Sequence, residues 1–263
     1  MLAIFIFGDQ KTNNQILRMK KFTKIAVLFM GLTLFSCSTE EQYTNENNEN
    51  SNFERPSGNN PITKNWEFND LNEWQDASQN SSANYYLENG NLKMFTNPNT
   101  WERTKVKTTS TFGAGTYTWR VYVPEMGVGD MSSIGAFLYK DDTHELDFEI
   151  GYGSESTRQS LNAQADDLIA YMSSQANPSQ FVQTTIKRNQ WYTLTIELSL
   201  TSNNRYFAKW KIDGTTVASK QLNYGTKVKF NVFCSMENLT FIGDHIPLSQ
   251  NYALFDSVQY LSY

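Results

Sequence analysis

From Trp66 to the C-terminus, short runs of aromatic and β-branched residues alternate with clusters of Gly, Asn, Asp and Pro at spacings of roughly ten residues. That rhythm predicts an all-β domain, a two-sheet antiparallel sandwich or a barrel. The clearest strands are Gly115–Val123, closed by Pro124, then Ile134–Tyr139, Glu145–Ile150 and Trp191–Leu200. Phe207–Ile212 and Thr215–Val217 flank Asp213-Gly214, a pair that tolerates the positive φ angles of a tight hairpin turn. Phe230–Cys234 and Ala253–Leu261 complete the set. No helix longer than two turns is predicted, and Asp166–Met172 is the one short candidate. No repeat is evident along the chain.

The first 36 residues follow a different pattern. Lys20, Lys21 and Lys24 precede the apolar run Ile25–Phe35 and then Ser36-Cys37. The apolar run is about 11 residues, against the roughly 20 a spanning helix needs, so it reads as the core of an export signal. Translation is expected to begin at Met1 or at Met19. Leu34-Phe35-Ser36-Cys37 resembles a bacterial lipobox, which implies cleavage and acylation of Cys37 and a membrane-anchored, exported lipoprotein. The other reading of Cys37, a buried cysteine ending a core helix, finds no cap or helix partner after it. Residues 37–63 are rich in Asn, Glu, Ser and Pro and nearly free of aliphatic side chains, the composition of a tether, so the folded domain is expected at 64–263.

Composition narrows the function. At 39% hydrophobic and 14% aromatic the chain can fill one large core. Five of the 22 basic residues and one of the 27 acidic ones precede Cys37, which leaves 17 against 26 and a net charge of −9. Such a surface offers no phosphate-backbone footprint, so nucleic acid is excluded as a partner and a monomer is expected. With Cys37 acylated, Cys234 has no disulfide partner and reads as a small buried hydrophobe. Two histidines, His144 and His245, and a single remaining cysteine supply neither a zinc set nor a Cys–His nucleophile. Gly151–Ser154 lacks the following glycine of a nucleophile elbow and reads as a turn.

The chemistry concentrates in His144-Glu145-Leu146-Asp147-Phe148-Glu149. On a strand the period of two puts Glu145, Asp147 and Glu149 on one face, with His144, Leu146 and Phe148 on the other, where His144 serves structure. Three adjacent same-face carboxylates repel, which raises at least one pKa and sets a proton donor beside an ionised partner. The same pattern also fits a solvated or edge-strand face, or a calcium site.

Glu145-Leu146-Asp147-Phe148-Glu149 resembles the E-x-D-x-E signature of glycoside hydrolase family 16. Around it, Trp101–Lys105, Gly115–Arg120, Ala136–Tyr139, Gln190–Tyr192, Trp210–Gly214 and Ala253–Tyr260 resemble that family's strands in order, so the likeness spans the chain from Trp66 to Tyr263. It implies a concanavalin A-like jelly roll and a polysaccharide or oligosaccharide partner in an extended cleft. It implies Glu145 as nucleophile, Asp147 as the tuning carboxylate and Glu149 as general acid/base of a retaining endo-glycosidase. The chain has Phe137-Leu138 where the family often has Trp, Thr118 where it often has Glu, and no Trp in Met236–Leu239. Trp101 is the first candidate for sugar stacking, though any aromatic can instead be core, as Trp119, Trp191 and Trp210 are expected to be. Tyr139, Asn162 and Gln164 are further substrate-binding candidates near the signature or on the next strand. No cofactor is required; Asp256 resembles a position that binds structural calcium in some relatives. The alternative function is a non-catalytic carbohydrate-binding lipoprotein on the same fold.

Overall fold

The computed structural model describes residues 61–263. The expectations for the export signal, Cys37 and most of the tether lie outside the described residues. Along the chain run β1 (Thr63–Trp66), β2 (Trp74–Asp76), β3 (Tyr85–Glu88), β4 (Asn91–Thr96), β5 (Arg103–Thr108), β6 (Gly115–Val123), β7 (Ser132–Asp141) and β8 (His144–Gly151). The one helix among the described residues, α1 (Glu155–Ser160), precedes β9 (Asp167–Ser174), β10 (Gln180–Lys187), β11 (Gln190–Leu200), β12 (Arg205–Ile212), β13 (Thr215–Gly225), β14 (Asn231–Asn238) and β15 (Asn251–Ser262).

Two antiparallel sheets form. One has the order β13-β12-β11-β6-β15-β4-β3, with β1 also paired to β15. The other has the order β10-β9-β8-β7-β14-β5-β2. The expected all-β, two-sheet antiparallel jelly roll is therefore the observed fold. Strand neighbours in space are mostly distant in sequence, as between β6 and β15, the arrangement by which a jelly roll shields its edges.

Strict alternation makes the first sheet. In β6, Gly115, Tyr117, Trp119, Val121 and Val123 are buried and the residues between them are half-exposed. Trp119 and Trp210 are fully buried in the core between the sheets. Burial of such a ring removes about 200 Å² from water, worth roughly 5 kcal/mol. Trp119 also donates its indole N–H to Phe233 O at 3.0 Å, which ties the two sheets together. Cys234 is buried and free. Trp191 departs from the expectation of core: it is half-buried on the outer face of this sheet, beside Tyr122 at 5.5 Å between ring centroids. The Asp213-Gly214 turn is as expected, with φ angles of 48° and 82° joining β12 to β13.

The second sheet is buried on both faces through its central strands: all eight residues of β9 and most of β7, β8 and β14 are shielded. This corrects the short helix expected at Asp166–Met172. Most of the segment belongs to β9, paired to β8 on one side and β10 on the other. Sheet pairing on both sides and burial on both faces override a local sequence with no alternation. The helix forms instead at Glu155–Ser160, where Ser154 accepts the Thr157 N–H and caps the first turn.

Candidate active site

The site stands on β8, in the middle of the doubly buried sheet. Leu146, Phe148 and Ile150 point into the core with no exposure, so Glu145, Asp147 and Glu149 share the opposite face. His144 lies on the core side, its ring 4.6 Å from that of Tyr224 and its Nδ1 2.7 Å from Asp141 Oδ1. The register puts Glu145 opposite Tyr139 of β7, Asp147 between Phe137 and Ser173, and Glu149 between Gly135 and Tyr171.

Each acid is held differently. Asp147 Oδ2 accepts from Ser173 Oγ at 2.5 Å and from Gln175 Nε2 at 3.1 Å, both on the β9 side. Its Oδ1 is buried without a hydrogen-bond partner, and the charge of Glu145 acts on the same carboxyl. Glu149 turns the other way. Ser133 Oγ of β7 donates to its Oε2 at 2.5 Å, and its Oε1 lies over Gly135, where a Cβ would come within 3.1 Å of it. The absent side chain at Gly135 is what lets Glu149 lean toward β14.

Burial sets the protonation. Desolvation, reinforced by the Glu237 charge, pushes Glu149 up to about 8 and Glu145 up to about 7. Desolvation together with the Glu145 and Glu149 charges also raises Asp147 well above the carboxylate range. The three titrate as one set, whose protons are held into the neutral range by burial.

A fourth carboxylate completes the floor. Glu237 of β14 has a side chain 1% exposed, and its Oε2 pairs with Lys105 Nζ at 2.7 Å and with Arg103 Nε. Sequence reasoning noted Glu237 only for lacking a neighbouring Trp. The available signal was the alternation of Arg103, Lys105 and Lys107 on β5 facing Glu237 and Ser235 on β14, a pattern that needs the strand pairing to be read.

Aromatic side chains flank the acids. Phe137 and Phe233 stack at 4.6 Å on the β7–β14 side, with Tyr139 edge-on to Phe233. On the other side Tyr171, buried, underlies Phe181 and Phe241, both about half exposed. A cavity of about 440 Å³ runs there, lined by Phe181, Phe241, Gln180 and the serines 173, 174 and 179, and it includes Gln175, which binds Asp147. Of the candidates from sequence, Tyr139 stands beside Glu145, its hydroxyl donating to Asp142. Trp101 is 46% exposed in the 97–102 loop, immediately before Arg103 of β5. Asn162 and Gln164 do not reach the next strand. They lie exposed in the turn between α1 and β9, where Asn162 adopts φ 51° and Gln164 is bound through its backbone by Arg158 and Asp167. The β9 residues that do meet the acids are Ser173 and Gln175, the latter just past the strand end. Asp256 is exposed at a bulge of β15, and among the described residues no group of three or more His, Cys, Asp or Glu is placed to hold a metal.

Fold and site together describe a two-sheet jelly roll that carries three acids on one face of a central strand, and the fold is the one implied by the resemblance to glycoside hydrolase family 16. Among solved structures the chain is similar to a β-glucanase of Bacillus licheniformis, at 16% identity over 75% of this chain and 97% of that one, TM-score 0.54. It is similar to the catalytic domain of an endo-1,3-β-glucanase (laminarinase) from Thermotoga petrophila, at 13% identity over 76% and 96%, TM-score 0.55. It is also similar to the κ-carrageenase of Pseudoalteromonas carrageenovora in complex with an oligotetrasaccharide of κ-carrageenan, at 14% identity over 81% and 99%, TM-score 0.53. At such identities the likeness establishes the fold. No protein-family model and no curated protein matches the chain.

Proposed function

We propose that this protein is an endo-acting glycosidase that hydrolyses a β-linked polysaccharide with retention of anomeric configuration, exported and held at a membrane through acylated Cys37. The observation that carries the reading is the arrangement on β8: three acids on one face, Glu145 half-buried and Asp147 and Glu149 buried, with Asp147 fastened toward β9, Glu149 toward β7, and aromatic rings on either side. A sequence selected only to fold has little reason to set three like charges on one strand face and bury two of them.

In the proposed reaction a Glu145 carboxylate oxygen bonds to the anomeric carbon as the glycosidic C–O bond breaks. Glu149 gives its proton to the departing oxygen. Water then attacks the glycosyl–Glu145 ester, Glu149 takes the water's proton, and Glu145 leaves as carboxylate. Asp147, whose carboxyl is raised by burial and by the Glu145 charge, takes up a proton in preference to Glu145, so that Glu145 is ionised when it attacks. Glu145 and Glu149 have α-carbons about 13 Å apart along a flat strand. Retention calls for carboxyls about 5–5.5 Å apart, so the reading requires the two side chains to lean toward each other over a curved strand. The β-glucanases among the similar structures make a β-glucan the leading substrate class.

The test is reducing-end release from a panel of β-glucans and galactans by the chain and its Glu145→Gln variant. Release by the wild type that falls at least about a thousandfold in the variant supports the reading. Binding to a polymer without release would instead assign a glycan-holding protein on the same fold.

A further inference from the structure

We propose that Glu237 is a positioning residue of the acid set: by pairing with Lys105 it withholds that ammonium from Glu149, so that Glu149 keeps the proton the reaction needs. The use of that proton rests on the glycosidase reading; the arrangement itself does not.

Glu237 and Lys105 are buried on the cleft face, with side-chain exposures of 1% and 8%, and their bond of 2.7 Å is joined by Arg103. A buried ion pair is an expensive way to hold two strands together, since an apolar pair of similar volume does so at no desolvation cost. Its location supplies a reason. Ser133 of β7 is the residue opposite Glu237, and the Ser133 hydroxyl is bonded to Glu149. Gly135, the next outward position on β7, has no side chain, and Ser235 opposite it leaves its hydroxyl without a partner. Two serine hydroxyls, those of Ser133 and Ser235, therefore stand on the side of the Glu149 carboxyl that faces the ion pair.

The charged groups that face Glu237 are Arg103 and Lys105 from β5 and Glu145 and Glu149 from β8. From β7 there are only the Ser133 hydroxyl and Gly135. Lys107 lies two positions further along β5, opposite Phe233. In this setting Lys105 favours the ionised form of Glu145 and Glu149, and Glu237 opposes it. Removing the Glu237 charge while keeping Lys105 leaves a buried cation facing Glu149, and that acid would then lose its proton earlier.

The experiment is a carboxyl ¹³C NMR titration of the full chain labelled at glutamate, in wild type, Glu237→Gln and Glu237→Gln/Lys105→Met, with Glu149 assigned by its loss in Glu149→Gln. The Glu149 midpoint is expected to fall by about one pH unit or more in Glu237→Gln, the size a bare neighbouring charge produces, and to recover in the double variant. An unmoved midpoint, or a fall that Lys105→Met does not reverse, overturns the proposal. Should Glu237→Gln not fold, Lys105→Met alone tests it, because the Glu149 midpoint must then rise; if it stays or falls the proposal is wrong. On a polysaccharide that the wild type cuts, the basic limb of kcat/KM moves with the midpoint, whereas a purely structural role lowers kcat at every pH without moving the limb. The titration needs no substrate. Shifts as expected without hydrolysis of any polymer would therefore sink the glycosidase reading and leave the arrangement standing.

Discussion

Replacing Glu149 by Gln should stabilise the protein at neutral pH while destroying its proposed catalysis. Glu149 is 8% exposed as a residue, and its carboxyl is pushed from 4.5 up to about 8, chiefly by desolvation. Between those values the folded chain holds a proton that the unfolded chain has released. The stability this proton confers is complete below pH 4.5 and drains away as pH rises toward 8. At 1.36 kcal/mol per pH unit, the loss from pH 4.5 to pH 7.5 comes to about 4 kcal/mol if Glu149 acted alone. Sharing of protons with Glu145 and Asp147 lowers the expected figure to about 2–4 kcal/mol. Glutamine has the same shape, offers an acceptor to Ser133 and carries no charge to desolvate. The variant should match the wild type near pH 5 and exceed it by about 2–4 kcal/mol at pH 7.5. Urea unfolding followed by the fluorescence of the buried Trp119 and Trp210 at pH 5, 6 and 7.5 measures this directly. His245, raised by its contacts with the Ile246 and Val128 carbonyls, also gives up stability as pH rises, so the wild-type slope alone is not diagnostic. The comparison between the two proteins is. Asp141, Asp166 and Asp167 are lowered, and their contribution is lost only at acid pH, outside this window. Equal stabilities of wild type and variant at pH 7.5 would refute the claim that Glu149 is a strongly desolvated acid.

Two further outcomes follow from the geometry of the cleft. Gly135→Ala places a methyl 2.3 Å from Ser235 Oγ and 3.1 Å from Glu149 Oε1; it should cost about 1–3 kcal/mol in stability and about a hundredfold in kcat by displacing the acid, with Ser235→Ala in the same chain restoring part of the rate, and an unchanged kcat would mean that Glu149 does not need this opening. Phe181→Ala and Phe241→Ala should each weaken oligosaccharide binding to the Glu145→Gln protein by about 0.5–1.5 kcal/mol, roughly two- to tenfold in Kd; calorimetric affinities that do not change would remove the cavity between them from the binding path.

How far the sequence could be read depended on whether a strand has one buried face or two. β6 and β11 pack one face on the core and give the other to water, so their alternation marks them to within a residue of their observed ends. β9 is buried on both faces and Asp-Leu-Ile-Ala-Tyr-Met-Ser-Ser carries no period at all, which is why its first residues could be taken for a helical turn. The strands β1 to β4 are short or lie near sheet edges, and their pairing with β5, β15 or one another comes from parts of the chain that no local pattern connects.

The same division runs through the site. Glu145, Asp147 and Glu149 were legible because one strand carries all three at its own period, so the chemistry is written locally. What governs their protons is not local. Asp147 is answered by Ser173, 26 residues away, and Glu149 by Ser133, 16 residues before it. The Glu237–Lys105 pair joins residues 132 positions apart. Each of these partners is an ordinary polar residue in its own strand and acquires a role only through the register of β5, β14, β7, β8 and β9. A carboxylate repeat therefore identifies where an acid and a nucleophile could stand. How firmly each holds its proton is set by burial and by cross-strand neighbours, and under the proposal a chain with the identical five-residue motif but an apolar residue at 237 beside Lys105 would release the Glu149 proton at a pH lower by about one unit or more, a poorer acid beside the same nucleophile.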